Sequence, residues 1–522
     1  MIRDLVGNVT GAFRSVNQAA ADRRALLIWL LLGAALRTLL VTGVDLGKDE
    51  ATYWYWSQHL DASYAGLPFA VIAIADAVWP GVDLVLRLPF IAASVCSALL
   101  LHHLCRLRGL SSSRSALAVA AFATSHWIWH TGSFLHPDGM LVPAWLAVLV
   151  CSERATRGAD DRWWSVAGAA AGLAALSKYS GLVLAAGLFT WLLWLALHGR
   201  RGPLLRAGAV FVLCSSPLLF DLLTTGFLLP ASLSTLSAVA PASMPLRLLL
   251  FLGAPLLYVS PVLLFILYRG AWSLRHQWRD SAHLWLPGVM LAGCFCFYAL
   301  TRGQVKGNWI LPAFLGIWPL AFAAEDLCNR RFVIVLLVLG ASLAALPAVT
   351  LRWPGVADRL SRSALQPLND SYTAIVSRRD LPREPTYSWT ERVCEYHGWE
   401  AFGRDVDEMI RRQDLQAPVT IASSEYGLAF GIARYAHLVD AVALPGDPRF
   451  VRLAAPPDQA ALHLARMGQQ PPGVGTRQAV VVRRGAGCEP LAYEVFAPPT
   501  GPAAAGVGAI ATGRESADAS RR

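Results

Sequence analysis

The chain has 522 residues, 55% of them hydrophobic and only 15% charged, with a mean hydropathy of +0.44, which excludes an ordinary water-soluble globular protein. The formal charge is +10, but membrane topology and an arginine-biased composition account for the surplus, so no nucleic-acid partner is called for. The nine cysteines show no CxxC or Cys/His metal spacing. Cys96, Cys105, Cys151, Cys214, Cys294 and Cys296 lie in apolar runs and read as packing residues.

A polar leader precedes an apolar run over 25–43, too long for a cleavable signal and read as a retained anchor. Windows suited to crossing a hydrocarbon core of about 30 Å follow at 84–105, 115–134, 138–152, 163–177, 179–197, 204–222, 246–268, 282–300, 308–324 and 332–350, about eleven spans in all. The stretch 64–80 is apolar but short and contains Pro68 and Pro80; it reads as an interfacial or re-entrant helix.

Arginine concentrates in alternate loops: Arg3, Arg14, Arg23 and Arg24; Arg106, Arg108 and Arg114; Arg154, Arg157 and Arg162; Arg200, Arg201 and Arg206; Arg269, Arg275 and Arg279; Arg330 and Arg331. By the positive-inside rule these loops, and the amino terminus with them, are cytoplasmic. An odd number of spans then leaves the region after 350 outside. There Pro, Arg, Asp and Glu become frequent, and "APVTIASSEYGLAFGIARYA" reads as strand, turn and helix. The organisation expected is a transmembrane domain over 1–352, a small extracytoplasmic α/β domain over 353–498 and a tail of disorder composition over 499–522. Cys394 and Cys488 both fall in the outer domain, where oxidation is permitted, and form the candidate disulfide.

With this topology the outer loops gather the chemistry. The first carries Lys48, Asp49 and Glu50 in "GKDEATYWYWSQHL". "GSFLHPDG" brings His136 and Asp138 to the mouth of the fourth span, "LSKYSG" adds Lys178, and "TRGQVKGNW" adds Arg302, Lys306 and Asn308. The chain's only three lysines, Lys48, Lys178 and Lys306, all fall here, where an otherwise arginine-rich sequence keeps a compact ammonium ion. Any one of these charges alone reads equally well as a solvated helix cap. Together, and with Arg37 inside the first span, they point to a site. A carboxylate beside phosphate-binding cations suits removal of a proton from an acceptor while a phosphate departs, and a phosphate needs no proton in order to leave. The cluster Tyr53, Trp54, Tyr55, Trp56 reads first as an interfacial aromatic belt and second as a sugar- or lipid-contacting surface.

"DEATYWYWSQHL", "LRLPF", "HPDGMLVPAW", "GLAALSKYSGL", "FLGAPLLYVSPVLL" and "VKGNWILPAF" follow one another as in the GT-C glycosyltransferases. The order resembles the protein-mannosyltransferase-like set that includes the lipid A aminoarabinose and galacturonic acid transferases, over residues 25 to 350. The resemblance implies an α-helical polytopic membrane protein of GT-C type in a bacterial inner membrane. Such an enzyme takes a sugar from a polyprenyl-phosphate donor, with inversion, and gives it to a lipid, glycan or protein acceptor on the outer face.

By the same resemblance Asp49 matches the general base, Glu50 its neighbour and Asp138 a second acid near the acceptor or base. Lys178 and Lys306, with Arg302, match ligands of the donor phosphate. Arg37 and Arg87 match recurrent orienting arginines, and His136 and Asn308 are supporting positions. No cofactor is required, because the lysines neutralise the phosphate; a divalent metal is compatible, but no metal ligands are assigned.

The chain also departs from that pattern. "YAGLPF" stands where relatives carry Asp-His-Pro-Pro or Glu-Lys-Pro, leaving Gly66 and Leu67 at the polar positions, and "PLLFDLL" with Asp221 replaces a Trp-Asn pair. These changes keep open an altered donor, an altered acceptor, or an inactive relative acting as a binding subunit. A flippase of lipid-linked intermediates is the alternative from another class. It predicts inverted repeats and ionisable residues buried at mid-membrane, whereas here the charges concentrate at one face and no repeat is seen.

Overall fold

A computed structural model describes residues 24–59, 66–158, 160–224, 251–301 apart from 254, 257, 274, 276 and 277, 307–323, 330–360, 389–443 apart from 416, 424 and 425, 462–467, and 477–496 apart from 486, 487 and 489. The chain divides into two compact units. The first comprises residues 1–43, 64–352 and 374–384; the second comprises 44–63, 353–373 and 385–522.

The first unit is helical. Its elements are α1 (Arg24–Val41), then, after α2 of the other unit (Lys48–Gln58), α3 (Leu67–Val78), α4 (Asp83–Leu107), α5 (Ser112–Ala123), α6 (His126–Thr131), α7 (Pro137–Arg157), α8 (Arg162–Ser177), α9 (Ser180–Leu197), α10 (Arg201–Thr224), α11 (Pro261–Ser273), α12 (Ala282–Thr301), a 3₁₀ segment (Gly307–Phe314), α13 (Trp318–Ala323) and α14 (Arg330–Arg352). Among the described residues six helices are long and apolar enough to cross a membrane: α1, α4, α9, α10, α12 and the Ile334–Arg352 part of α14.

Two expected spans are broken. The 115–134 stretch stops at Thr124 and restarts as α6 from Ser125, whose hydroxyl donates back to the Phe122 carbonyl. The 308–324 stretch is a 3₁₀ turn holding Pro312, followed by six-residue α13. The 64–80 stretch forms α3, a 12-residue helix with Pro68 in its first turn, where a missing N–H costs nothing. Helices α8 and α10 meet through "GAAAG": a Cβ on Gly168 would collide with the Ala207 carbonyl, and one on Gly172 would lie 2.6 Å from the Cys214 Cβ. Small residues four apart let the two backbones approach where lipid supplies no hydrophobic drive.

The second unit joins α2 to α15 (Pro354–Leu360), α16 (Trp389–Cys394), α17 (Trp399–Arg412), β1 (Val419–Ser423), α18 (Tyr426–Tyr435), β2 (Val439–Ala443), β3 (Leu462–Arg466), β4 (Arg477–Arg483) and β5 (Leu491–Phe496). The sheet order is β2-β1-β3-β5-β4. Strand β1 is parallel to both β2 and β3, β5 is antiparallel to β3, and β4 is antiparallel to β5. Trp399, Phe402, Val406 and Ile410 recur at helical spacing, so one face of α17 enters the core with Val419, Ile421 and Val495. Its opposite face carries Glu400–Arg404 and Glu408–Arg412 pairs, exposed and each worth well under about 1 kcal/mol. Cys394 and Cys488 are joined by a disulfide, with Cα atoms 5.8 Å apart.

Candidate functional site

Helix α7 begins with "HPDG". His136 is the N-cap, and its Nδ1 accepts the Asp138 N–H at 3.1 Å; Pro137 occupies the first helical position, where its fixed φ is favourable. Asp138 therefore falls in the first turn, next to the unsatisfied N–H groups and the positive end of the helix dipole. Helix α8 ends at Ser177, and Lys178 is the extended residue between α8 and α9. Its Nζ lies 2.7 Å from Asp138 Oδ1. The carboxylate is fully buried and Lys178 is 8% exposed. Asp138 Oδ2 is 3.7 Å from His136 Nδ1 and has no hydrogen-bond partner.

Around the pair the buried Trp127 indole N–H and Ser180 hydroxyl likewise lack hydrogen-bond partners. Three histidines stand in series, with ring centres 6.0 Å apart for His126–His130 and 5.8 Å for His130–His136; the Tyr258 ring stacks on His126 at 5.7 Å. A buried lysine–carboxylate pair whose second oxygen has only the His136 ring nitrogen at 3.7 Å can hold an anion on the lysine and accept a proton on the acid. Among the described residues no group of three His, Cys, Asp or Glu side chains is placed to hold a metal ion.

The other predicted residues divide by location. Arg302 and Lys306 lie outside the described residues. Asn308 is half-buried on the 3₁₀ segment. Arg37 and Arg87 are buried in the first unit, where each reaches the carbonyl end of a helix. Arg37 bonds the Ala123 carbonyl at 3.2 Å and also the Ser94 hydroxyl, and Arg87 bonds the Val41 carbonyl at 3.1 Å. Guanidinium groups there satisfy orphan carbonyls and oppose the negative end of the dipole, a structural duty.

Lys48, Asp49 and Glu50 belong to the second unit, in the first turn of α2. Asp49 is exposed; Glu50 is buried and accepts the Gly47 N–H at 3.1 Å, closing the helix start. The aromatic residues after them face the α/β core: Tyr55 stacks on Phe430 at 4.5 Å, and the Arg434 guanidinium lies 4.9 Å from the Trp54 ring centre.

Sequence reasoning missed a second buried cluster, at the far end of α7. Glu153, 0% exposed, meets Arg108 at 3.2 Å, His283 at 2.8 Å and Arg157, and Arg108 also donates to Ser281 at 2.8 Å. The only local signal is Glu153–Arg157 at i,i+4; Arg108 and His283 arrive through tertiary packing.

Residues 67–220 match the family described as dolichyl-phosphate-mannose-protein mannosyltransferase. Among curated proteins the sequence finds no match. Among solved structures the chain is similar to ArnT from Cupriavidus metallidurans in the apo state, with 15% identity, 90% of this chain and 98% of that one covered, and a TM-score of 0.58. The same protein bound to undecaprenyl phosphate gives 15% identity, 90% and 97% coverage, and a TM-score of 0.60. At that identity the likeness establishes the fold, and the matched segment carries α3 to most of α10, Asp138 and Lys178 among them. The chain therefore has the GT-C fold, and its segment 67–220 matches a glycosyltransferase family.

Proposed function

We propose that the protein transfers a sugar, with inversion, from a polyprenyl-phosphate donor to a lipid, glycan or protein acceptor of the cell envelope, at the outer face of a bacterial inner membrane. The observation that carries this reading is the buried Lys178–Asp138 pair, a cation held at a helix break against a carboxylate with one oxygen unengaged. ArnT, similar in fold, has been seen with undecaprenyl phosphate, which supports a lipid phosphate as the anion that Lys178 receives.

In the proposed reaction the phosphate ester's sugar–oxygen bond breaks as the acceptor's oxygen or nitrogen attacks the anomeric carbon from the opposite side. Lys178, with Lys306 and Arg302, takes up the charge left on the phosphate. The acceptor's proton passes to a carboxylate, for which Asp49 is the proposed base; Asp138 orients Lys178 or the acceptor. A departing phosphate needs no general acid, so the paired acids of glycoside hydrolysis are not required. The reading includes an amino terminus in the cytoplasm and the α/β unit outside, supported by the arginine-rich alternate loops.

The test compares envelope lipids and glycans by mass spectrometry with and without the protein, then assays purified wild type, Asp49→Asn and Lys178→Ala with a polyprenyl-phosphate sugar. Loss of one sugar modification on deletion, with folded but inactive variants, supports the reading. An unchanged envelope together with no transfer by the wild type overturns it, and full activity in both variants overturns the roles given to Asp49 and Lys178.

A further inference from the structure

Helix α2 follows α1 directly in sequence, yet it packs with the α/β unit rather than the membrane helices. The three residues before it are each held there. Asp45 donates its N–H to the Tyr396 carbonyl at 3.1 Å, and its carboxylate accepts the Trp399 N–H at 2.8 Å, at the start of α17. Leu46, fully buried, donates its N–H to the Tyr435 hydroxyl at 2.6 Å, at the end of α18. Gly47 lies under the Tyr396 ring so closely that a Cβ would collide with it. Lys48, the next residue, lays its aliphatic stem on Gly427, where again a Cβ would collide. Tyr55 on Phe430 and Trp54 under Arg434 fix the rest of the helix.

A segment joining two membrane spans needs only to turn the chain. Ordering it costs conformational entropy at every residue, and here that ordering is concentrated on the four residues that precede Asp49. A base must be held to within a fraction of an ångström of its proton, and its support decides whether it is.

We propose that the α/β domain is the mount of the acid helix, and that Asp45, Tyr396, Trp399 and Tyr435 are positioning residues for Asp49. The inference rests on the reading of Asp49 as the base. It assigns the carboxy-terminal domain a part in the chemical step: holding a residue encoded near the other end of the chain.

The test uses the full-length protein with a polyprenyl-phosphate sugar, in two measurements. Hydrogen exchange of a peptide covering 44–58 reads the mount directly. Steady-state kinetics of Tyr435→Phe, Asp49→Asn and the double variant reads its catalytic use. The mount predicts faster exchange in Tyr435→Phe, a kcat about tenfold lower at unchanged donor KM, and no further loss when Tyr435→Phe is added to Asp49→Asn. Gly427→Ala, which presses on Lys48 from the other side, gives the same pattern if Tyr435→Phe fails to fold. Unaltered exchange, or losses that multiply in the double variant, overturns the mount while leaving the base assignment intact. Full turnover in Asp49→Asn with loosened exchange instead overturns the base assignment, and with it the mount's catalytic purpose.

Discussion

Asp138 and Glu153 lie at opposite ends of one helix, α7, and each is a fully buried carboxylate held by cations. Fifteen residues of helix separate them by about 22 Å. The Asp138 end keeps one oxygen unengaged and takes a single lysine. The Glu153 end is bound from three side chains on two other helix ends and its own. The first arrangement suits exchange with a ligand; the second suits a permanent clasp.

Removing one partner of the Asp138–Lys178 pair leaves a buried charge alone. Lys178→Met is expected to destabilise the protein by about 3–5 kcal/mol, and Asp138→Asn on top of it to recover much of that. Thermal unfolding in detergent measures the recovery. Transfer activity stays lost in both, which separates the pair's role in folding from its role in holding the donor.

Glu153→Gln abandons Arg108, Arg157 and His283 together. A stability loss of about 3 kcal/mol or more is expected, with no change in donor KM for the protein that remains folded. A shifted KM measured at a temperature well below the transition would show that this end also touches substrate.

Asp49 is exposed, so Asp49→Asn is expected to leave the melting temperature where it is. As the proposed base, its loss lowers kcat by about 10²–10⁴. Assay and melting curve on the same preparation distinguish this from unfolding.

The Tyr55 phenol is pushed well above its usual value, by burial first and by the Asp440 carboxylate second. The folded domain keeps a proton that the unfolded chain surrenders near pH 10. The contribution to stability is therefore whole below about pH 10 and falls as pH rises beyond it. Melting of the wild type should steepen its decline in that range and Tyr55→Phe should flatten it, as circular dichroism would show.

Cys394 and Cys488 close a loop with a sequence separation of 94. Replacing both by Ser is expected to cost about 2–5 kcal/mol in the α/β unit. Alkylation of the unfolded wild type before and after reduction should differ by two thiols.

Some of this was legible in the sequence for local reasons. "HPDG" spells a helix start, with an N-cap, a proline and an acid in order, and "LSKYSG" spells a break. That Lys178 turns onto Asp138 is a tertiary fact, but the shared outer face made the meeting reasonable. The α/β region followed from its change in composition and from "VTIAS" and "YGLAFGIARY". What hydropathy missed were breaks within apolar stretches at Ser125 and around Pro312, because a window average does not register a single cap or proline. The placement of Asp49 was illegible for a stronger reason. Local pattern makes "DEATYWYWSQHL" an exit loop of the first span, and only contacts such as Leu46 with Tyr435, 389 residues away, assign it to the other unit.

Those 389 residues also fix an order of events during biosynthesis. Ribosomes deliver α2 early and the α/β elements it packs with last, so a nascent or truncated chain carries α2 before its packing partners exist. Under the proposal that Asp49 is the base, a chain that stops before Trp389 is expected to make no transfer, and an assay of such a truncation checks it.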